Sequence, residues 1–133
     1  MPKAKKQKEQ KEHWKTEPEE HDFPAAAAYL SLQFPPAAVE TLVDALKGAE
    51  TTYAKAKDLL RASRLQLLPA NDPEVEKDLD RVGGGAPLSP VLLVRGNGDA
   101  GIPLIVADGY HRICASYELG EDEPIPCRLV DRP

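Results

Sequence analysis

A strand that breaks abruptly into a helix is the feature that most constrains what this chain can fold into. The apolar run Leu104–Ala107 predicts a buried strand, and Asp108-Gly109 ends it directly before a helical stretch. A glycine at such a break lets the backbone turn sharply and lets a ligand approach closely. The break points several backbone N–H groups at one spot and sets His111 and Arg112 beside it.

Three helices are predicted before this region, over residues 24–33, 36–47 and 51–62. The first begins with Pro24 and four alanines, which suit a helix start, and Pro35-Pro36 ends it. The second carries an apolar stripe at helical spacing, formed by Val39, Leu42, Val43 and Leu46. The third has a predicted apolar face made of Tyr53, Ala56, Leu59 and Leu60. We interpret these helices as scaffolding.

The pattern changes at Ser63, where strand signals begin to alternate with helices. Strands are predicted over residues 65–68, 90–94, 102–106 and 125–130, with a turn at residues 96–99 that makes the middle pair a hairpin. Helices are predicted after Asp72, which is placed to cap the first of them, and from Gly109 to Leu119. Pro126 favours an edge position for the last strand. The fold class expected is α+β, a small mixed sheet with flanking helices.

Charge and length divide the chain into three predicted parts. Residues 1–20 are a charged, flexible tail, residues 21–62 a helical extension, and residues 63–133 an α/β domain. The net charge is −5, yet Met1–Lys15 holds six lysines against two glutamates, so about +4 sits there and about −9 elsewhere. This balance argues against a broad nucleic-acid surface, although the basic stretch Lys3–Lys15 could contact phosphate or an acidic partner.

The cysteine count and the hydropathy pattern bear on the environment of the protein. Cys114 and Cys127 are too few for a disulfide scaffold, and we interpret both as small buried apolar side chains. No apolar run reaches the roughly 18–20 residues that a membrane span needs, and no secretory signal is recognisable. The expectation is a cytoplasmic, reduced setting without a membrane contact.

The start of the helix after Gly109 has the chemistry of an anion site. The first N–H groups of a helix, here those of Gly109, Tyr110 and His111, lack an intrahelical acceptor and lie at the positive end of the helix dipole. Arg112 and His111 add side-chain donors. Asp108 leaves three alternatives open: a helix cap that would repel an anion, a partner of Mg²⁺, or a catalytic base.

The order of these elements, and above all Ala107-Asp108-Gly109-Tyr110-His111-Arg112 after a strand, resembles the ParB/sulfiredoxin-like superfamily over about residues 63–130. The resemblance implies a nucleotide or phosphate site at Gly109–Arg112 that takes ATP or CTP with Mg²⁺. It implies Asp108 and His111 as candidate catalytic residues, and Asp108 as a candidate metal partner through Mg²⁺. The helical extension lies outside the resemblance.

This chain departs from each kind of member. Sulfiredoxins carry a reactive cysteine where this chain has Tyr110, and Cys114 lies one turn further along. Partition proteins continue into DNA-binding and dimerisation domains and tend to have paired arginines in place of His111-Arg112. Free-serine kinases have a histidine in place of Tyr110, and they need an acidic base, for which Asp72, Glu74 and Glu76 are the candidates here.

The leading hypothesis is therefore a small nucleotide- or phosphate-binding protein, with an Mg²⁺-dependent NTPase or phosphotransferase as its catalytic form. The alternative is a non-catalytic DNA-associated or protein-binding regulatory module on the same scaffold, using the basic stretch Lys3–Lys15. A third reading is a degenerate site in a purely structural domain. The expected partners are a nucleotide or other small phosphate ligand, a nucleic acid or acidic partner for the basic stretch, and a second copy of the chain.

Overall fold

A four-stranded mixed sheet lies between two layers of helices in the computed structural model, which describes residues 13–133. The helices and strands follow one another in this order: α1 (Asp22–Leu30), α2 (Pro36–Gly48), β1 (Thr52–Lys55), α3 (Ala56–Ser63), α4 (Pro73–Gly83), β2 (Val91–Val94), β3 (Ile105–Asp108), α5 (Tyr110–Leu119) and β4 (Pro124–Val130). The strand order is β1-β4-β2-β3. Only the β2–β4 pair is parallel. This confirms the α+β class, the small mixed sheet and the flanking helices.

Alternate residues of the strands face two separate cores. Val91 and Leu93 of β2 pack against α3, α4 and α5, whereas Leu92 and Val94 pack against α1 and α2. All four side chains are buried, as the unbroken apolar run predicts for a strand that is covered on both faces. The helices α1 and α2 therefore cover one face of the sheet.

The predicted helix over residues 51–62 is wrong in its first turn. Thr52–Lys55 forms strand β1, which pairs antiparallel with β4, and the helix begins only at Ala56. Tyr53 is 56% exposed and belongs to no apolar helix face. Threonine and tyrosine fit a pleated strand well, and the free edge of β4 supplies the partner that the local sequence does not show.

The predicted strand at residues 65–68 is also wrong, because this segment has no strand neighbour. Leu65 and Leu68 instead pack partly buried against the core beneath α5, while Leu67 is exposed. The carbonyl of Gln66 accepts a hydrogen bond from the hydroxyl of Tyr110. This apolar run thus covers part of the hydrophobic core, and its hydrogen bond with Tyr110 ties it to the start of α5.

Two details of the remaining strands differ from expectation. The edge position predicted from Pro126 is wrong for β4, which lies between β1 and β2. The pairing with β2 begins only at Cys127, so Pro126 has a strand neighbour on one side alone. The second hairpin arm begins at Ile105 rather than Ile102, because the N–H of Leu104 bonds the carbonyl of Ala62 instead of β2.

The predicted cap of α4 is confirmed. The carboxylate of Asp72 accepts hydrogen bonds from the N–H groups of Glu74 and Val75, at 3.1 and 3.2 Å, and Pro73 takes the first helical position. We expect Asp72→Ala to lower the free energy of unfolding by about 1 kcal/mol, because these N–H groups lose their acceptor. Urea denaturation measures this. Asp44→Ala, on the exposed face of α2, is the control and should change stability by less than about 0.5 kcal/mol. Equal effects would contradict the cap.

Candidate functional site

The break between β3 and α5 depends on Gly109. Its φ is +112°, in the region that favours glycine, and a Cβ there would lie 2.5 Å from Cγ1 of Val91 and 2.9 Å from Nη2 of Arg112. Val91 is fully buried in β2, so it cannot move aside cheaply. The close approach seats the start of α5 directly on the sheet, so the space at this glycine is taken by Val91 and Arg112 of the chain itself.

Asp108 does not cap α5. Its Oδ2 lies 3.0 Å from Nη2 of Arg112, one helical turn further along, in a partly buried ion pair. Within residues 13–133, no side-chain oxygen accepts a hydrogen bond from the first N–H groups of α5, whose N-cap is Gly109. Of the three roles left open for Asp108, the cap is therefore wrong, and its carboxylate is turned onto Arg112.

Arg112 joins three parts of the fold. Besides Asp108, its Nη2 donates to the carbonyl of Pro90 at 3.3 Å, and its Nη1 lies 3.8 Å from Oδ1 of Asp22 on α1. The side chain is 14% exposed. Its Nε is buried and has no hydrogen-bond partner among the described residues. Arg112 is thus a partly buried charge that is already paired, rather than the surface donor that the sequence suggested.

Sequence reasoning missed two buried carboxyls that lie near Arg112. Asp22 is 1% exposed and Asp78, on α4, is 7% exposed. An aspartate in the first turn of an alanine-rich helix normally indicates only a favourable charge at the helix start, so no local signal reveals that Asp22 is buried. Asp78 lies on the half-buried face of α4, and its carboxylate accepts from Arg81 at 3.3 Å.

Burial raises the pKa of two carboxyls near Arg112, those of Asp108 and Asp78. It raises the pKa of Asp108 above its ordinary value; the Arg112 guanidinium opposes this rise, and the adjacent Asp22 carboxyl adds to it through charge and a side-chain hydrogen bond. Burial also raises the pKa of Asp78, against the opposing charges of Arg112, Arg81 and His111. Three carboxyls, those of Asp22, Asp78 and Asp108, therefore lie near the single guanidinium of Arg112.

His111 and Tyr110 flank the open helix start. Both are half-buried, and their rings lie 5.4 Å apart at an angle of 37°. The Tyr110 hydroxyl is committed to the Gln66 carbonyl, and burial raises the pKa of that hydroxyl. What Tyr110 offers to a ligand is its backbone N–H, whereas His111 offers both its N–H and its imidazole.

The two cysteines and the clefts of the structure add no residue to the candidate site. Cys114 and Cys127 are free and buried, and burial raises the pKa of both thiols, so neither has the character of an accessible thiolate. Clefts of about 400 and 310 Å³ lie away from α5, one beside Arg95 and Asp131 and one between Phe23 and Arg128.

The residues present do not fit a magnesium ion at Asp108. Magnesium needs free carboxylate oxygens in near-octahedral geometry, and Oδ2 of Asp108 and Oδ1 of Asp22 already face the guanidinium of Arg112, while Oδ2 of Asp22 accepts the N–H of Glu19. No group of three or more histidine, cysteine or acidic side chains suited to a metal occurs in the described part of the chain. A magnesium ion held by these oxygens would have to displace Arg112.

The basic stretch lies mainly outside the structure. Lys3, Lys5, Lys6, Lys8 and Lys11 belong to residues 1–12, which lie outside the described residues. Lys15 is described and pairs with Glu19. Trp14 is 6% exposed and docks on the domain, where the segment forms a parallel bridge to Leu88.

Comparison of the chain with protein-family models, with curated proteins and with solved structures finds no match. The resemblance to the ParB/sulfiredoxin-like superfamily therefore stays a prediction from residues 63–130. None of the helices in residues 13–133 combines the length and the apolar character that a membrane crossing requires.

Proposed function

We propose that this protein binds the phosphate group of a small ligand, with nucleotides such as ATP or CTP as the leading class, at the start of α5. The observation that carries the proposal is the guanidinium of Arg112 beside an uncapped helix start, because α1, α2 and α3 also begin without a side-chain cap. Asp72 closes the start of α4 with its carboxylate, whereas Asp108 is turned onto Arg112 and leaves the start of α5 without a side-chain cap. An uncapped helix start next to a cationic side chain suits an anion.

Three features support phosphate as the anion. The N–H groups of Tyr110 and His111 lie in the first turn, the imidazole of His111 is half-buried beside them, and the guanidinium of Arg112 lies against Gly109. Arg112 contributes charge from beneath the turn. Because Asp108 is engaged by Arg112, the geometry supports ligand binding better than phosphoryl transfer.

Calorimetric titration with inorganic phosphate, ATP and CTP, each with and without Mg²⁺, tests this proposal. We expect wild type to bind at least one of them without requiring Mg²⁺. His111→Ala should weaken binding about tenfold, because the ligand loses a hydrogen bond that involves charge.

Arg95→Ala is the control for the loss of a polar side chain away from the site. Arg95 follows the far end of β2, whereas Asp108 pairs with Leu92 near its beginning, and the Arg95 side chain is 61% exposed. Its removal should leave the affinity unchanged. No binding by wild type, or the same loss in both variants, would overturn the proposal.

The alternative of a DNA-associated module has no support among the described residues. If DNA rather than a small phosphate is the ligand, binding will fall steeply with salt and will not respond to His111→Ala.

A further inference from the structure

The carboxylate of Asp22 reaches the anion site from a part of the chain that the sequence assigned to scaffolding. Asp22 is the first residue of α1, and α1 packs on the face of the sheet opposite α5. Its side chain is 2% exposed, although a buried carboxylate is costly unless it is paired. The contacts of its two oxygens show why it is there.

The two oxygens of Asp22 have separate partners. Oδ2 accepts the backbone N–H of Glu19 at 2.9 Å, which fixes the turn that leads into α1. Oδ1 lies 3.8 Å from Nη1 of Arg112 and 3.4 Å from Nε2 of His21, whose side chain is 76% exposed. One oxygen is thus explained by local structure, and the other faces the guanidinium under the start of α5. The Asp22 carboxyl also shares a side-chain hydrogen bond with that of Asp108.

Arg112 consequently has one positive charge between two carboxyl groups. Asp108 takes Nη2 and Asp22 stands at Nη1. If Arg112 served only to hold Asp108, the second buried carboxyl would add a desolvation cost without a matching charge. A second carboxyl beside the guanidinium lowers the positive charge that an anion would meet at the N–H groups of the first turn of α5.

We infer that Asp22 is a positioning residue of the anion site, which holds Arg112 beneath α5 and lowers the affinity of the site for anions. This inference rests on the proposed function, because the anion site at α5 is the site that Asp22 would control. It makes α1 part of that site. The charged groups around Arg112 are Asp108 from β3, Asp78 and Arg81 from α4, His111 from α5, and His21, Glu19 and Asp22 from the start of α1.

Asp22→Asn separates the two tasks of this side chain. Asparagine keeps the size and an oxygen that can accept the Glu19 N–H, but it removes the negative charge that faces Arg112. Sulfate is the probe, because its charge does not change near neutral pH. We expect sulfate to bind Asp22→Asn about three- to tenfold more tightly than wild type in low salt, since one charge near the site is lost. The gain should shrink as the salt concentration rises.

Glu17→Gln is the matched control. Glu17 belongs to the same segment and also pairs with a buried arginine, but that arginine is Arg128 on β4. Its sulfate affinity should equal that of wild type. Asp22→Ser, which also keeps an oxygen and removes the charge, serves if Asp22→Asn does not fold, and it should show the same gain.

Each outcome decides the inference. An unchanged or lower sulfate affinity in a folded Asp22→Asn or Asp22→Ser overturns it, because a merely structural Asp22 would give no gain. An equal gain in Glu17→Gln overturns it as well. Sulfate binding by Asp22→Asn but not by wild type supports the inference and rejects the proposed function for wild type. Binding by neither protein rejects both.

Discussion

Gly109→Ala is expected to lower the free energy of unfolding by about 3–5 kcal/mol, the sum of a strained backbone and an overpacked contact. The φ of +112° is unfavourable for any residue with a Cβ, and the new Cβ would lie 2.5 Å from Cγ1 of the fully buried Val91. To relieve this contact, the start of α5 must lift from the sheet. Urea denaturation, followed by far-UV circular dichroism, measures the loss.

Substitutions at two other glycines distinguish the cost of the strained backbone from the cost of the close contact with Val91. Gly101 also has a positive φ, +71°, but a Cβ there would meet nothing within 4 Å, so Gly101→Ala should cost only about 1 kcal/mol. At Gly98 there is likewise open space and no positive φ, and Gly98→Ala should be within about 0.5 kcal/mol of wild type. A Gly109→Ala loss no larger than that of Gly101→Ala would contradict the close packing of α5 on β2.

Arg112→Ala is the second large effect, with an expected loss of about 3–5 kcal/mol at neutral pH. The substitution leaves the carboxyls of Asp22 and Asp108 in a buried place without their guanidinium. Burial already raises the pKa of Asp108 while Arg112 opposes the rise, so removing Arg112 raises it further. The folded variant then binds a proton at higher pH than wild type does. Its deficit in stability should therefore shrink as the pH falls toward the ordinary carboxyl range.

Two comparisons make this prediction specific. Arg61→Ala breaks an ion pair with Asp58 in which the two side chains are 83% and 51% exposed, so the expected loss is only about 0–1 kcal/mol. Adding Asp22→Asn to Arg112→Ala removes one of the unpaired carboxyls and should recover part of the lost stability at neutral pH. A loss that is independent of pH, with no recovery in the double variant, would mean that Arg112 contributes only the packing of its stem.

The features that were predictable from the sequence are those whose cause is local. Asp72 caps α4 because an aspartate before a proline and two glutamates is a helix start wherever it occurs. The run Val91–Val94 is buried on both faces because it has no polar residue to turn outward. The break at Gly109 follows from the need for a glycine where a strand turns at once into a helix.

The features that were missed depend on partners far away in the chain. Thr52–Lys55 is a strand only because β4 offers it an edge, whereas the run at residues 65–68 pairs with neither free edge of the sheet. The i,i+4 spacing of Asp108 and Arg112 permits their ion pair, but the contacts of Arg112 with Pro90 and Asp22 depend on residues far away in the chain. The burial of this pair and the second carboxyl beside it were therefore not predictable from the local sequence.

The place of β4 between β1 and β2 makes completion of the sheet depend on residues far apart in the chain. β2 and β3 are joined by ten residues, 95–104, whereas within the sheet β1 finds a hydrogen-bonded neighbour only in β4. Thr52 and Cys127, which are partners in that ladder, are 75 residues apart in the chain. Closing so long a loop costs entropy before any contact repays it, so the sheet cannot be completed by local steps alone. The pairing of β1 with β4 is consequently the most non-local strand pairing of the sheet, and its entropic cost is the largest among the three.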